Sequence, residues 1–272
     1  MERVNIERVT LHLAHPDELP LNWVGQEELI NQVLSAWLVI DEDDLPLNPR
    51  LIGKPGVGKT TLAYAAAKRL GREVYLFQAT IDTRPEDLLI TPVISDEGKI
   101  KYMASPIVTA MIKGGVAIID EANRMSEKSW ASLAPLLDSR RYVESVAAGI
   151  KIKADKDFRI SVTMNDDAST FELPEYINSR LQPQILIDFP EADEEKLILK
   201  KNLPFADDKI LDYVVNFLQL AHKADERYTV RDGINIARYA LKRMKGNRYD
   251  IVSSIKEAIK MILGEEALDY FI

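Results

Sequence analysis

Residues 53–60 read Gly53-Lys54-Pro55-Gly56-Val57-Gly58-Lys59-Thr60, a complete G-x-x-x-x-G-K-[ST] phosphate-binding loop. Glycine has no Cβ, so a chain with glycine at 53, 56 and 58 can curl until successive N–H groups point at phosphate oxygens. The helix that follows adds the positive end of its dipole. In this reading the backbone of Pro55, Gly56 and Val57 lines the cradle. Lys59 reaches the β and γ phosphates, Thr60 holds Mg2+, and Thr61 carries the chain into the helix. The flanks agree. Leu47 to Ile52 form an apolar approach that suits a buried strand, and Thr61 to Leu70 form an alanine-rich helix that Gly71 can end. A Gly/Pro turn without a ligand is the bland alternative.

The 272 residues suffice for a sizeable core and two domains. A composition of 46% hydrophobic and 29% charged residues is that of a globular protein, and no apolar run approaches the roughly 18 residues of a membrane span. Met1 to Thr10 alternates charge with apolar residues and lacks the continuous apolar stretch of a secretory signal. With no cysteine, disulfide and thiolate chemistry are excluded, which fits a cytoplasmic location. The net charge of −8 is uneven: 14 basic and 15 acidic residues from Glu191 onward, against 21 and 28 before it. An acidic first part disfavours duplex DNA as the main partner, though not a local basic patch.

Up to about residue 190, strand-like apolar runs alternate with helical patterns, the signature of a wound α/β sheet. The expected strands are Leu47 to Ile52, Val74 to Phe77, Val116 to Ile119, Phe158 to Met164 and Gln184 to Phe189. After Pro190 the pattern is helix upon helix: Glu191 to Lys201, Asp208 to Lys223, Val230 to Met244 and Ile251 to Leu263. The expected organisation is an N-terminal extension at 1–21, an α/β core at 22–190 and a small all-helical lid at 191–272. Two β-hairpins interrupt the core, at about 91–103 and 141–153. The acidic stretch Asp41 to Asp44 reads as a solvated loop. Trp23, Trp37 and Trp130 fit helical or core positions, and His12, His15 and His222 lack metal-ligand spacing.

Hydrolysis needs a second, acidic element. Val116-Ala117-Ile118-Ile119-Asp120-Glu121 is an apolar strand that delivers two carboxylates at its C-terminal end, where parallel sheets bind their ligands. Asp120 would then assist Mg2+, and Glu121 would act as the general base on the attacking water. An acidic turn after a strand is the alternative. Thr229-Val230-Arg231-Asp232 fits a capping box, which puts Arg231 in the first turn of a helix. A cation there opposes the helix dipole, so the position points to an anionic ligand; a surface pair with Asp232 or Glu226 is the other reading.

These stretches, with Val24-Gly25-Gln26-Glu27, Asp120-Glu121-Ala122-Asn123-Arg124 and Asn178-Ser179-Arg180, resemble the AAA+ ATPases. Among those they resemble the MoxR-type branch with a helix-2 insert, over roughly residues 22 to 245. The resemblance implies a P-loop NTPase parallel sheet, the AAA+ core, followed by a helical lid, with ATP and Mg2+ held between subunits of a ring, usually a hexamer. It implies that Val24 and Gly25 wrap the adenine and that ATP is preferred to GTP. Asn165 resembles sensor 1, which bonds the attacking water or γ-phosphate, although Asn165-Asp166-Asp167 also reads as a turn or cap. Arg231 resembles sensor 2, acting in cis. Arg180 resembles the arginine finger of a neighbouring subunit, with Arg124, Arg140 and Arg141 as competing donors and a plain surface ion pair as the bland reading. The two hairpins sit where this branch carries its helix-2 insert and a hairpin before sensor 1, which project from the ring face or toward the pore; their alternating basic and apolar residues equally fit ordinary exposed hairpins. Asp166-Asp167 replaces a proline common after sensor 1, and Leu181-Gln182 replaces a common aromatic after the finger.

The expected function is therefore an ATP-hydrolysing, ring-forming, chaperone-like motor that remodels a protein client. The alternatives are a nucleic-acid motor or clamp-loading subunit, and a nucleotide-gated assembly module with little turnover.

Overall fold

A computed structural model describes residues 2–20, 23–166, 172–247 and 250–272. The chain divides into two units: Met1–Trp23, Glu27–Gly53 and Gly58–Ile187 form the first, and Val24–Gln26, Lys54–Val57 and Asp188–Ile272 the second. Of the phosphate-binding octapeptide, Lys54–Val57 falls in the second unit and the rest in the first.

The first unit is built on a five-stranded parallel sheet in the order Gln184–Leu186, Arg50–Gly53, Arg159–Asn165, Val116–Asp120, Val74–Gln78. Two of its three inner strands, Arg159–Asn165 and Val116–Asp120, are buried on both faces, and their sequences are accordingly mostly apolar runs rather than alternating ones. The strands Arg50–Gly53 and Gln184–Leu186 are shorter than expected. Leu47 is 53% exposed and sits ahead of the strand that begins at Arg50, and the last strand ends at Leu186, with Ile187 donating one more bond to Ile52 O. Because the strands are parallel, Gly53, Asp120 and Asn165 all lie at one end of the sheet. Helix Lys59–Arg69 leaves that end. It closes at Gly71, whose φ of 67° lets Arg72 N–H reach back to Ala67 O. The surrounding core includes Trp130, Phe158, Ile119 and Val162.

Both expected hairpins form. Ile90–Ile94 pairs with Ile100–Ala104, and Tyr142–Ser145 with Ile150–Lys153. The N-terminal residues carry structure that the sequence reading did not assign: Arg3–Ile6 and Val9–His12 form an antiparallel pair, and Val9–His12 runs parallel to Ile100–Ala104. The first hairpin is therefore half of a four-stranded sheet. Asp41 to Asp44 forms the expected exposed loop, in which Asp44 caps Ile40 N–H at 2.9 Å.

The second unit contains helices Ala192–Asn202, Asp208–Lys223, Val230–Asn247 and Ile251–Leu263. Asp207 and Asp250 cap the second and fourth by accepting from Lys209 N–H and Ser253 N–H. Leu199, Leu211, Phe217, Leu218, Ile236 and Ile259 fill the core. At Gly233 an added Cβ would lie 2.6 Å from Leu218 Cδ1, so any side chain here would force the packed Leu218 to shift. Among the described residues no helix is long and apolar enough to cross a membrane.

Candidate nucleotide site

In the first unit, Gly58 has a φ of 96° and forms the N-cap of helix Lys59–Arg69 with no side-chain cap. An added Cβ there would lie 3.1 Å from the Trp23 ring, so the loop needs glycine for conformation and for space. Trp23 is thus neither helical nor core; it is half-buried against the loop, whereas Trp37 and Trp130 are 1% exposed. Lys59 is only 6% exposed, and its Nζ donates to Gly53 O at 2.9 Å, which folds the amine over the first glycine of its own loop.

Asp120 ends its strand beside this lysine's neighbour. The Thr60 hydroxyl donates to Asp120 Oδ1 at 2.6 Å, and the Thr163 hydroxyl donates to the same oxygen. Glu121 follows with a φ of 53°, a left-handed conformation rare for a residue with a Cβ, and its N–H is held by Thr163 Oγ1 at 3.0 Å. Three groups surround its carboxylate: Gln78 Nε2 at 3.2 Å, Asn165 Nδ2 at 3.5 Å and Arg124 Nε at 2.8 Å. Asn165 is 9% exposed and faces the acid, and its carbonyl accepts from Asn123 Nδ2 at 2.9 Å. Asp167 lies outside the described residues.

The arginines separate. Arg141 is 7% exposed and donates to Phe158 O, and burial lowers its pKa; this corrects its inclusion among donors to a neighbour. Arg124 is committed to Glu121 of its own chain. Arg180 pairs with Asp138 at 3.3 Å and also donates to Tyr176 O.

In the second unit, Gly25 and Gln26 both have positive φ, 75° and 41°, and Gln26 N–H donates to Glu194 Oε1 at 2.9 Å. The turn after Val24 is thereby fastened to the first turn of helix Ala192–Asn202. Gly56, φ 85°, packs on Thr229, whose hydroxyl lies 2.8 Å from where a Cβ would stand. Thr229 and Asp232 form the expected capping box: Thr229 N–H donates to Asp232 Oδ2 at 2.8 Å and Asp232 N–H to Thr229 Oγ1 at 3.4 Å. Asp232 is engaged by that cap. Arg231 is exposed and forms no ion pair among the described residues, which removes the surface pair with Asp232 or Glu226.

A profile of the AAA domain, dynein-related subfamily, matches residues 50–181. The chain is 28% identical over 151 residues to protein MoxR of Paracoccus denitrificans, across 55% of this chain and 43% of that one. It is also 28% identical over 142 residues to MoxR of Methylorubrum extorquens, across 52% and 40%. The domain match and these relatives support an AAA+ ATPase of the MoxR type. It spans less than half the length of these MoxR relatives. The fold is that of the Thermotoga maritima RuvB Holliday junction branch migration motor, with a TM-score of 0.58 at 18% identity over 88% of this chain and 70% of that one.

The residues fit the nucleotide and magnesium that AAA+ proteins generally use. A helix begins at a glycine without a side-chain cap, a buried lysine lies over the loop, and a threonine hydroxyl and an aspartate meet at one oxygen. That donor set, one hydroxyl and one carboxylate, is what Mg2+ takes when phosphates and waters supply the remaining oxygens. Bound magnesium would neutralise charge on the phosphates. Three residues that contact this acid pair or Asn165 are not anticipated from the sequence as functional groups: Gln78, Thr163 and Asn123. Their signal is a polar side chain ending or interrupting an apolar strand, or following the acid pair.

Proposed function

We propose that this AAA+ protein binds Mg-ATP, hydrolyses it within a self-assembled ring, a hexamer by resemblance, and uses the cycle to remodel a protein client in the cytoplasm. The supporting observation is the convergence of Thr60 and Thr163 on Asp120, with Glu121 following at the same end of the sheet and Asn165 facing it. In this reading the backbone of Gly53, Pro55, Gly56, Val57 and Gly58, with Lys59 and Thr61, holds the phosphates. Thr60 and Asp120 hold Mg2+, Glu121 deprotonates water, and Asn165 and Arg231 read the γ-phosphate. Val24 and Gly25 hold the adenine, and Arg180 acts on the neighbouring subunit's nucleotide. The remodelling role is what the resemblance to the MoxR-type branch implies, and the two hairpins are the proposed client contacts. Val146, at the tip of the second, is 95% exposed.

Lys59→Ala is expected to abolish ATP binding. Glu121→Gln is expected to bind ATP, release phosphate at a negligible rate and retain clients when assembled with ATP. Wild-type phosphate release by Glu121→Gln would refute the assignment of the base.

A second reading, a nucleic-acid motor, draws on the likeness to RuvB. Salt-sensitive stimulation of ATP turnover by single- or double-stranded DNA would establish it, and the net charge of −8 opposes it.

A further inference from the structure

With Arg141 buried and Arg124 bound to Glu121, two arginines of the first unit's competing set remain, and they share one carboxylate. Asp138 Oδ1 accepts from Arg140 Nε at 3.0 Å, and Oδ2 accepts from Arg140 Nη2 at 2.8 Å and from Arg180 Nε at 3.3 Å. Behind them stands Asn48, 7% exposed, whose amide donates to Leu137 O at 2.9 Å and to Arg180 O at 3.0 Å. The backbone preceding Asp138 and the backbone carrying Arg180 are therefore tied at one buried point.

A guanidinium has five N–H donors. Arg140 commits two to Asp138, and Arg180 commits one to Asp138 and one to Tyr176 O. Roughly three remain on each. The Arg140 side chain is 51% exposed and that of Arg180 29%, so these donors are accessible. Arg140 above all holds the Asp138 carboxyl down to about 2, so the acid stays charged and the trio is net positive. Planar forks fixed side by side match the oxygens of a polyphosphate, and fixing them in advance reduces the ordering cost of binding. A solitary surface ion pair contributes little and has no need of a buried amide tying its two backbones together.

We infer that Asp138 is a positioning residue that presents Arg140 and Arg180 together as a two-pronged clamp for the triphosphate of a nucleotide bound by a second copy of this chain. The inference rests on the proposed ring ATPase and extends it from one trans-acting arginine to a pair.

The test mixes chains. Glu121→Gln chains lack the base but keep both arginines; Arg140→Ala chains keep the base. Each alone is expected to lose at least about tenfold in kcat, a threshold well below the roughly thousandfold or more that arginine fingers contribute. A one-to-one mixture should recover a substantial part of wild-type turnover, because some sites combine an intact base with an intact clamp. Arg180→Ala and Asp138→Asn should behave as Arg140→Ala does, with ATP affinity of the unassembled chain unchanged, and Asp138→Glu should restore part of the loss. Wild-type turnover in Arg140→Ala or Asp138→Asn, or failure of the mixture to recover, overturns the clamp. If wild-type protein releases no phosphate, the ring ATPase reading fails separately, and sedimentation then decides the clamp. Self-association promoted by a non-hydrolysable ATP analogue should weaken about tenfold in Arg140→Ala and Asp138→Asn; unchanged association overturns it. Unaltered thermal unfolding of the variants separates these losses from misfolding.

Discussion

The Thr163 hydroxyl donates to Asp120 Oδ1 and, through the same oxygen, accepts the backbone N–H of Glu121 at 3.0 Å. One buried side chain in a neighbouring strand therefore holds the carboxylate of Asp120 and the backbone of Glu121. Thr163→Val keeps shape and β-branching but removes both bonds, leaving the Glu121 N–H without that acceptor. A buried group deprived of its partner costs about 1–3 kcal/mol. Unfolding stability should fall by about that amount in denaturant titrations. ATP turnover should fall about tenfold, which corresponds to 1.4 kcal/mol of barrier, with ATP affinity changed less than about threefold. Unchanged turnover would show that Thr163 serves the sheet alone.

Arg124 restrains Glu121 rather than a neighbour's phosphate. Their pair, at 2.8 Å, is 47% and 32% exposed, so it is screened by water and contributes at most about 1 kcal/mol. If Glu121 is the base, this pair competes with the water for one of its carboxylate oxygens. Arg124→Ala is accordingly expected to raise basal phosphate release, by no more than about fivefold, and to leave ATP affinity as it was. A loss of turnover beyond tenfold would assign Arg124 a positive role in the reaction.

Parts of this architecture are legible in the sequence because they rest on local pattern. Helices Asp208–Lys223 and Ile251–Leu263 end where their three-and-four apolar spacing ends. The strand Val116–Asp120 is an unbroken apolar run because both its faces are covered. Strands Arg3–Ile6 and Val9–His12 are not legible in the same way. Each is four residues long, and Val9–His12 finds a partner about ninety residues away, at Ile100–Ala104. The site divides similarly. Glycine, lysine and adjacent acids announce themselves by composition, whereas Gln78 and Thr163 look like ordinary strand residues until the parallel register brings them to Glu121 and Asp120. The sharing of Asp138 by Arg140 and Arg180 depends on loops that no spacing rule connects.

Glu195, in the second unit, is fully buried. Its Oε2 accepts from Gln219 at 3.0 Å and its Oε1 has no partner. Burial raises its pKa from 4.5 to about 7. The folded protein therefore holds this proton where the unfolded chain releases it, so the contribution to stability is fully present below pH 4.5 and is lost as the pH rises toward 7. The loss is on the order of 3 kcal/mol. Urea midpoints should fall between pH 5 and 8 in the wild type. Glu195→Gln, which cannot ionise, should lack that component of the slope and gain relative stability at pH 8. Parallel pH profiles for the two proteins would show that Glu195 titrates normally.

Glu194 fastens the turn that follows Val24. Its Oε1 accepts Gln26 N–H at 2.9 Å and lies 2.5 Å from where a Gly25 Cβ would stand, so the carboxylate occupies the space that the absent side chain leaves. If Val24 and Gly25 hold the adenine, this contact sets the backbone that reads the base. Glu194→Ala releases the turn, and one hydrogen bond of about 1 kcal/mol corresponds to roughly fivefold weaker ATP binding. Glu194→Gln keeps an acceptor oxygen and should bind within about twofold of wild type. Gly25→Ala is expected to be more damaging than either, because the new methyl meets the carboxylate while the backbone sits in a left-handed conformation that L-residues resist. Calorimetric titration with ATP and GTP distinguishes the cases. Loss of affinity for ATP but not for GTP in Glu194→Ala would place the turn against the base, and equal loss for both would place it against the shared ribose or phosphates.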